Sequence, residues 1–173
     1  MSTPRYVAFL RGVSPTNAKM ADLKLAFEGA GFTDVRTVLS SGNVVFTAPR
    51  TPERDLGRQA EQAMTQRMGR AFPTIVRAVD ALRALVESDP FAAADLPADG
   101  KRVVTFLQEP LHAEVSLPIE ADGVHIFATN GAEVFTVYVR NPRGPVFMTM
   151  LEKAFGTSAT TRTWETVKRC AAL

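Results

Sequence analysis

The stretch that most constrains the fold is residues 37–46, in which two short runs of strand-forming residues flank a Ser-Ser-Gly-Asn corner. Gly and Asn tolerate the left-handed backbone of a tight reversal, so this stretch predicts a β-hairpin. A helical pattern lies on each side of the hairpin, and an apolar strand lies beyond each helix. Residues 1–79 therefore have the predicted order β-α-β-β-α-β.

Apolar spacing places the other elements of this half. Residues 6–10 form an almost continuous apolar run, which predicts a buried strand. The first helix carries its apolar residues on one face, and Thr16 or Asn17 is expected to cap its start. The second helix is expected to begin with Thr51 as a capping hydroxyl, and residues 72–79 supply the fourth strand.

Residues 80–173 repeat part of this order. A strand is predicted at residues 103–107, and the pair Asn130-Gly131 joins two further strands in the strongest hairpin signal of the chain. Two helices follow, the last at about residues 163–173. Each half thus has a central hairpin followed by a helix, which indicates a structural duplication without a residue-level repeat.

These patterns predict an α+β protein made of two related ferredoxin-like halves, residues 1–79 and 80–173, packed together and built on mainly antiparallel sheets. Right-handed crossovers put both helices of a βαββαβ unit on one face of its sheet. The other face is then solvent, a ligand platform or the surface on which the second half docks. Docking is favoured for at least part of that face.

Composition excludes several classes of protein. Cys170 is the only cysteine, so an internal disulfide is impossible and a cysteine-based metal site is not expected. No apolar run approaches the length of a membrane span, and the N-terminus lacks the pattern of a secretory signal. We therefore expect a cytoplasmic protein without a membrane partner, a metal or a cofactor.

The charge is distributed unevenly. Residues 1–79 contain 11 Lys and Arg against 6 Asp and Glu, whereas residues 80–173 contain 9 against 12. A basic excess of this size is more often a solvated surface, but it also favours an anionic ligand in the first half.

One cluster of polar residues is predicted to bind a ligand. It combines a guanidinium after the first strand, the start of the first helix and the hairpin corner. Together, a guanidinium, free helix amides and hydroxyls can hold a phosphate or a carboxylate. The candidate ligand-binding residues are Arg11, Gly12, Asn17, Lys19, Ser40, Ser41 and Asn43. The alternative is that Arg11 pairs with a carboxylate and that the corner is only a turn.

A second candidate is a partner-binding patch at the start of the last helix. Arg162 and Trp164 are the residue types that form stacking or interface contacts. The competing interpretation is that Trp164 anchors the terminal helix while Thr161 or Thr163 caps it. His112 and His125 are not in metal-ligand spacing.

Several separated motifs resemble the domain-of-unknown-function 1697 family. They are RYVAFLRGV (residues 5–13), GFTDVRT (31–37), SGNVVF (41–46), LEKAFG (151–156) and ATTRTWETV (159–167). The resemblance covers nearly the whole chain and implies two related ferredoxin-like α+β halves, without an established activity. The chain departs from the family at residues 13–17, which are shorter and lack paired glycines.

The predicted function is a non-catalytic binding module for a small anionic or nucleotide-like ligand, or for a macromolecular partner. No complete catalytic constellation is found, so an enzyme is not favoured. One alternative is RNA binding on an open sheet face, although the third strand lacks the basic-Gly-aromatic lead-in before Phe46. The other is hydrolysis of phosphate esters or acyl phosphates, because acylphosphatases resemble this arrangement and use an Arg after the first strand together with an Asn.

Overall fold

The computed structural model describes residues 2–92, 95–110, 115–139, 146–156 and 158–173. The chain divides into two compact units, Met1–Ala84 with Lys168–Leu173, and Leu85–Val167. The elements of the first part of the chain are β1 (Arg5–Leu10), α1 (Met20–Gly29), β2 (Thr33–Val38), β3 (Asn43–Thr47), α2 (Glu53–Met68), β4 (Thr74–Ala78) and α3 (Val79–Ser88). Those that follow are β5 (Lys101–Leu107), β6 (Ile119–Ala121), β7 (Val124–Asn130), β8 (Glu133–Tyr138), α4 (Val146–Phe155), β9 (Ala159–Thr163) and α5 (Trp164–Ala171).

The first sheet has the strand order β2-β3-β1-β4, and every neighbouring pair is antiparallel. Tyr6 of β1 lies opposite Phe46 of β3, so the first strand and the second arm of the predicted hairpin pair directly. The first half thus has the element order β-α-β-β-α-β that the sequence predicts. The prediction of an α+β fold with antiparallel sheets is confirmed.

Both crossover helices of the first unit pack on the same face of this sheet. Its core contains Leu23 and Phe27 from α1, Leu56 and Met64 from α2, and alternate residues of the central strands. The rings of Phe32 and Phe46 stack with their centroids 4.3 Å apart. Alternation along the strands therefore divides the sheet as the sequence predicts, with every second side chain under the helices.

The opposite face of the first sheet is also buried. Val7, Phe9 and Val45 have no exposed area, and Ile75 is 5% exposed. Continuous burial of neighbouring residues explains why β1 is apolar along its whole length. This face is therefore neither solvent-exposed nor an open platform.

Helix α2 covers the outer edge of the first sheet, where β4 is the last strand. Glu53 Oε1 accepts a hydrogen bond of 2.9 Å from the amide of Ala78, and Glu61 Oε1 accepts one of 2.9 Å from the amide of Thr74. Gly57 lies between the two glutamates on the same helix face. A Cβ on Gly57 would approach the carbonyl oxygen of Thr74 to 3.1 Å, so the absence of a side chain lets the helix lie this close to the strand.

The other edge of the first sheet is irregular. The register of β2 against β3 shifts between Thr33 and Arg36. Within this shift Asp34 has a positive φ of 46° and forms ion pairs with Arg5 and Arg36. A bulge that carries charged residues interrupts the row of amides and carbonyls along this edge.

The second sheet has the strand order β6-β7-β8-β5-β9. Its part β7-β8-β5-β9 repeats the order β2-β3-β1-β4 strand for strand, and all pairs are again antiparallel. The hairpin predicted at Asn130-Gly131 is present between β7 and β8. In the described residues the short strand β6 takes the place in chain order that α1 has in the first unit.

Two predicted helix caps are wrong. Lys19 precedes α1 and Pro52 precedes α2, and neither helix has a side-chain cap. The hydroxyl of Thr51 instead donates to the carbonyl oxygen of Pro49 at 2.8 Å. At α5 the expected cap is confirmed, because the amide of Thr166 donates to Thr163 Oγ1 at 3.3 Å.

Candidate functional site

The candidate residues around Arg11 gather at one end of the first sheet. Antiparallel pairing puts the end of β1 beside the start of β3 and the start of β4. The amide of Leu10 donates to the carbonyl oxygen of Gly42, and the amide of Arg11 donates to that of Pro73, both at 2.9 Å. The partly buried Arg11 and the hairpin corner therefore lie at the same end of the sheet.

The loop between β1 and α1, residues 11–19, folds back onto the hairpin corner. A Cβ on Gly42 would lie 2.9 Å from the Cβ of Val13, and Gly42 has a φ of +85°, so both space and backbone require glycine there. Asn17 closes the loop on itself: its Nδ2 donates to the carbonyl oxygen of Gly12 at 2.7 Å, and its Oδ1 accepts from the amide of Ser14 at 2.8 Å. This use of the side chain explains why Asn17 does not cap α1.

Asn43 has an internal role in the hairpin. It is completely buried, and its Nδ2 donates to the carbonyl oxygen of Val38 at 2.9 Å and to Ser41 Oγ at 3.0 Å. Ser40 and Ser41 are exposed on the corner that Asn43 closes. The amide of Asn43 thus holds the turn together, in agreement with the interpretation that part of this corner is structural.

A cleft of about 850 Å³ lies between α1 and the C-terminal part of α2; we call it the α1–α2 cleft. The loop contributes residues 15–19, which include the candidate residues Asn17 and Lys19. Helix α1 contributes Asp22, Leu25, Ala26 and Gly29, and α2 contributes Ala63, Gln66, Arg67 and Met68. The other candidates, Arg11, Gly12, Ser40, Ser41 and Asn43, are not part of this lining. The structure therefore separates the predicted cluster into a sheet-end group and a cleft group.

Two exposed cations line the α1–α2 cleft. Lys19 and Arg67 are exposed, and within the described residues neither side chain forms an ion pair. Asp22 is the third charged residue of the lining and lies in the first turn of α1, which no side chain caps. A helix start without a side-chain cap presents amides that can donate to an anion.

Polar residues of the loop and Gln66 share the remaining wall of the cleft with apolar residues. Leu25 is 42% exposed although it is a large hydrophobic residue, and Ala26 and Ala63 are buried beneath the surface of the cleft. Gly29 faces open space, because a Cβ there would meet nothing within 4 Å. The cleft thus combines charged, polar and apolar side chains.

Arg162 and Trp164 belong to the second unit. Trp164 is 3% exposed, and its ring lies 5.1 Å from that of Phe91. Arg162 Nη1 donates to the carbonyl oxygen of Thr161 at 2.9 Å. The burial of Trp164 agrees with an anchoring role for its indole inside its unit.

The sequence did not identify the α2 side of the cleft. Arg67 stands in the last turn of α2, two residues before Gly69, which caps the helix with a φ of +75°. That position is typical of a cation that complements the helix dipole, so it gave no sign of a ligand. Leu25 gave no sign of a ligand either, because a single exposed leucine is common on protein surfaces.

Three further structural findings bear on the alternatives. Among the residues that the structure describes, no group of three or more His, Cys, Asp or Glu side chains is placed to hold a metal ion. His125 Nδ1 lies 3.3 Å from Glu120 Oε1 across the β6–β7 pair, and His112 lies outside the described residues. A search of the described helices finds none with the length and apolar character needed to cross a bilayer.

The fold and the cleft define an α+β protein with two antiparallel sheets and a cation-lined groove on the helical side of the first sheet. The chain belongs to the family described as "Protein of unknown function (DUF1697)", which matches residues 3–135 and confirms the predicted family. A solved structure of the conserved bacterial protein SP0830 from Streptococcus pneumoniae is similar over 99% of this chain and 98% of that chain, with 17% identity and a TM-score of 0.71. That likeness shows a shared fold. No curated protein matches the sequence.

Proposed function

We propose that this protein is a binding module for a small organic anion, and that the ligand occupies the α1–α2 cleft. The observation that carries the proposal is the pair of exposed cations, Lys19 and Arg67, on the rim of an 850 Å³ cleft beside a helix start without a side-chain cap. Cavities of this size accommodate ligands as large as a nucleotide. Charge-assisted hydrogen bonds from both cations would provide affinity for a carboxylate or a phosphate.

The loop before α1 supports this cleft by holding Lys19 in place. Asn17 fixes residues 12–17, the segment that leads to Lys19, through hydrogen bonds at both ends of its amide. Val13 fixes the same loop against Gly42. A rigid loop places the ammonium of Lys19 with less loss of conformational entropy on binding.

The test is a thermal-shift screen of the full chain against inorganic phosphate, AMP, citrate and a series of monocarboxylates. A ligand that binds only the folded state raises the melting temperature, by the equivalent of about 2.7 kcal/mol at a hundred times its Kd. The double variant Lys19→Gln with Arg67→Gln should lose most of this shift. Each lost charge-assisted bond weakens binding by about tenfold or more.

A matched control distinguishes a site from a general charge effect. Arg58 is an exposed arginine on the same helix as Arg67 and is not part of the cleft lining. The Arg58→Gln variant should therefore bind the ligand with the same affinity as the unsubstituted protein. An equal loss in Arg58→Gln, or no anion that raises the melting temperature, would contradict the proposal.

The other functional interpretations gain less support. Base stacking on the first sheet gains little support, since Val7, Phe9 and Val45 on the face opposite α1 and α2 are completely buried. For phosphate hydrolysis, Arg11 follows β1 as the comparison with acylphosphatases requires, but the amide nitrogen of Asn43 is engaged inside the hairpin. The cytoplasmic location and a macromolecular partner stay predictions.

A further inference from the structure

The charge of the α1–α2 cleft restricts the charge of its ligand. Its lining holds two cations, Lys19 and Arg67, and one carboxylate, Asp22, which gives one net positive charge. A monoanion balances this charge. A polyphosphate would bring several negative charges close to Asp22, and like charges repel at short distance.

The apolar lining residues of α1, which we call the apolar wall, restrict the chemical character of the uncharged part of the ligand. Leu25, Ala26 and Gly29 continue along α1 beyond Asp22. Gly29 lies seven residues after Asp22, which corresponds to about 10.5 Å along the helix axis. Along α1 the lining residues therefore change from the charged Asp22 to apolar residues toward the end of the helix, where the exposed side chain of Leu25 and the open space at Gly29 lie.

We propose that the α1–α2 cleft takes a monocarboxylate with an apolar chain or ring, whose carboxylate lies at Lys19 and Arg67 and whose apolar part lies along Leu25 and Gly29. The inference rests on the proposed function and narrows its ligand class. Burial of Leu25 by the ligand is favourable in proportion to the apolar area removed from water. The wall from Leu25 to Gly29 extends about 6 Å along the helix axis, which several methylene groups of an extended chain would cover.

The experiment compares the binding of octanoate, acetate, 1-octanol and inorganic phosphate to the full chain by calorimetry. Octanoate should bind at least about tenfold more tightly than acetate, because its additional methylene groups are removed from water. It should also bind more tightly than 1-octanol, which lacks the negative charge. Equal affinity for octanoate and acetate would overturn the inference.

Two variants test the position of the apolar part. Gly29→Leu fills the open space at the apolar wall and should weaken octanoate binding by about tenfold or more, with little effect on acetate. Gln62→Leu adds the same side chain at an exposed position of α2 outside the cleft and should leave both affinities unchanged. Octanoate binding that is indifferent to Gly29→Leu would overturn the inference.

The outcomes separate this inference from the proposed function. Tight binding of phosphate, AMP or citrate through Lys19 and Arg67, without binding of octanoate, would overturn the monocarboxylate inference and leave the anion site in place. If none of these anions binds, both the monocarboxylate inference and the proposed function are overturned. A loss of octanoate binding in Gly29→Leu but not in Gln62→Leu would support both.

Discussion

The backbone of Leu39 is unfavourable for its residue type. It has a φ of +60°, and its side chain is 48% exposed, so burial does not compensate for the conformation. A residue with a Cβ loses about 1–2 kcal/mol in the left-handed region. Leu39 therefore costs stability at the tip of the hairpin that adjoins the candidate site.

We expect Leu39→Asn to raise the free energy of unfolding by about 1 kcal/mol, because asparagine tolerates the left-handed region better than leucine does. The measurement is urea denaturation followed by circular dichroism. Leu39→Ala is the control, since it removes the exposed side chain but keeps the Cβ that causes the strain. An equal gain in both variants would assign the effect to side-chain exposure instead of the backbone.

The hairpin was predictable from the sequence. Which of its residues have a positive φ was only partly predictable. Gly42 has the expected positive φ, whereas Asn43 begins β3 as a buried residue and Leu39 takes the other left-handed position. Periodicity predicts that a chain reverses at a Ser-Ser-Gly-Asn corner. It does not determine which residue enters the strand, because the burial of Asn43 depends on pairing with Phe9.

At the scale of elements, the contact of α2 with β4 depends on the missing side chain of Gly57. Glycine lowers helix propensity by about 1 kcal/mol relative to alanine, so its presence inside a helix of 16 residues has a local cost. That cost is offset by the close approach that lets Glu53 and Glu61 reach the amides of β4. The absence of a side chain at Gly57 thus allows α2 to pack directly against the edge strand β4.

Gly57→Val should lower the free energy of unfolding by about 1–3 kcal/mol, because its side chain would meet the carbonyl oxygen of Thr74 and the side chain of Val76. Thermal unfolding measures the change. Gly29→Ala is the matched control on α1, where the added Cβ meets nothing within 4 Å, and it should be neutral or slightly stabilising. A stable Gly57→Val variant would show that the helix can move away from the strand at little cost.

Only those residues of the candidate site whose position follows from the order of elements along the chain were predictable. Asn17 and Lys19 were found because the start of a helix follows β1, and that placement needs no knowledge of tertiary packing. Arg67 and Leu25 join them only because α1 and α2 share one sheet face and leave a groove between their ends. The width of that groove depends on small residues such as Gly29, whose effect sequence periodicity does not express.

At the scale of the whole molecule, the second sheet contains the strand order of the first. The hairpin in each half indicated a structural duplication, but strand β9, which completes that order, was not predicted. The short β6 was not predicted, because Ile119–Ala121 is too brief for an alternating pattern to be recognised. Helix α5 links the two units along the chain: Trp164 belongs to one unit, and Cys170 belongs to the other. They are the only tryptophan and the only cysteine of the protein, so each unit has a unique probe.

We expect the fluorescence of Trp164 and the protection of Cys170 against thiol reagents to be lost at the same denaturant concentration. Cys170 and Trp164 are both buried, and unfolding of either unit would disrupt the helix on which both residues lie. The measurement is a urea titration with parallel fluorescence and thiol labelling. Separate midpoints would show that the two units unfold independently.

The carboxylates of Glu53 and Glu61 also hinder the association of copies of this chain through the edge of the first sheet. An open sheet edge is a template on which another polypeptide adds a strand, and repeated addition leads to filaments or amyloid. In the first sheet, Thr74 and Ala78 already donate to those carboxylates, and the opposite edge is interrupted at Asp34. Growth of the first sheet by strand addition is therefore disfavoured at both edges, so neither edge readily templates a strand from another chain.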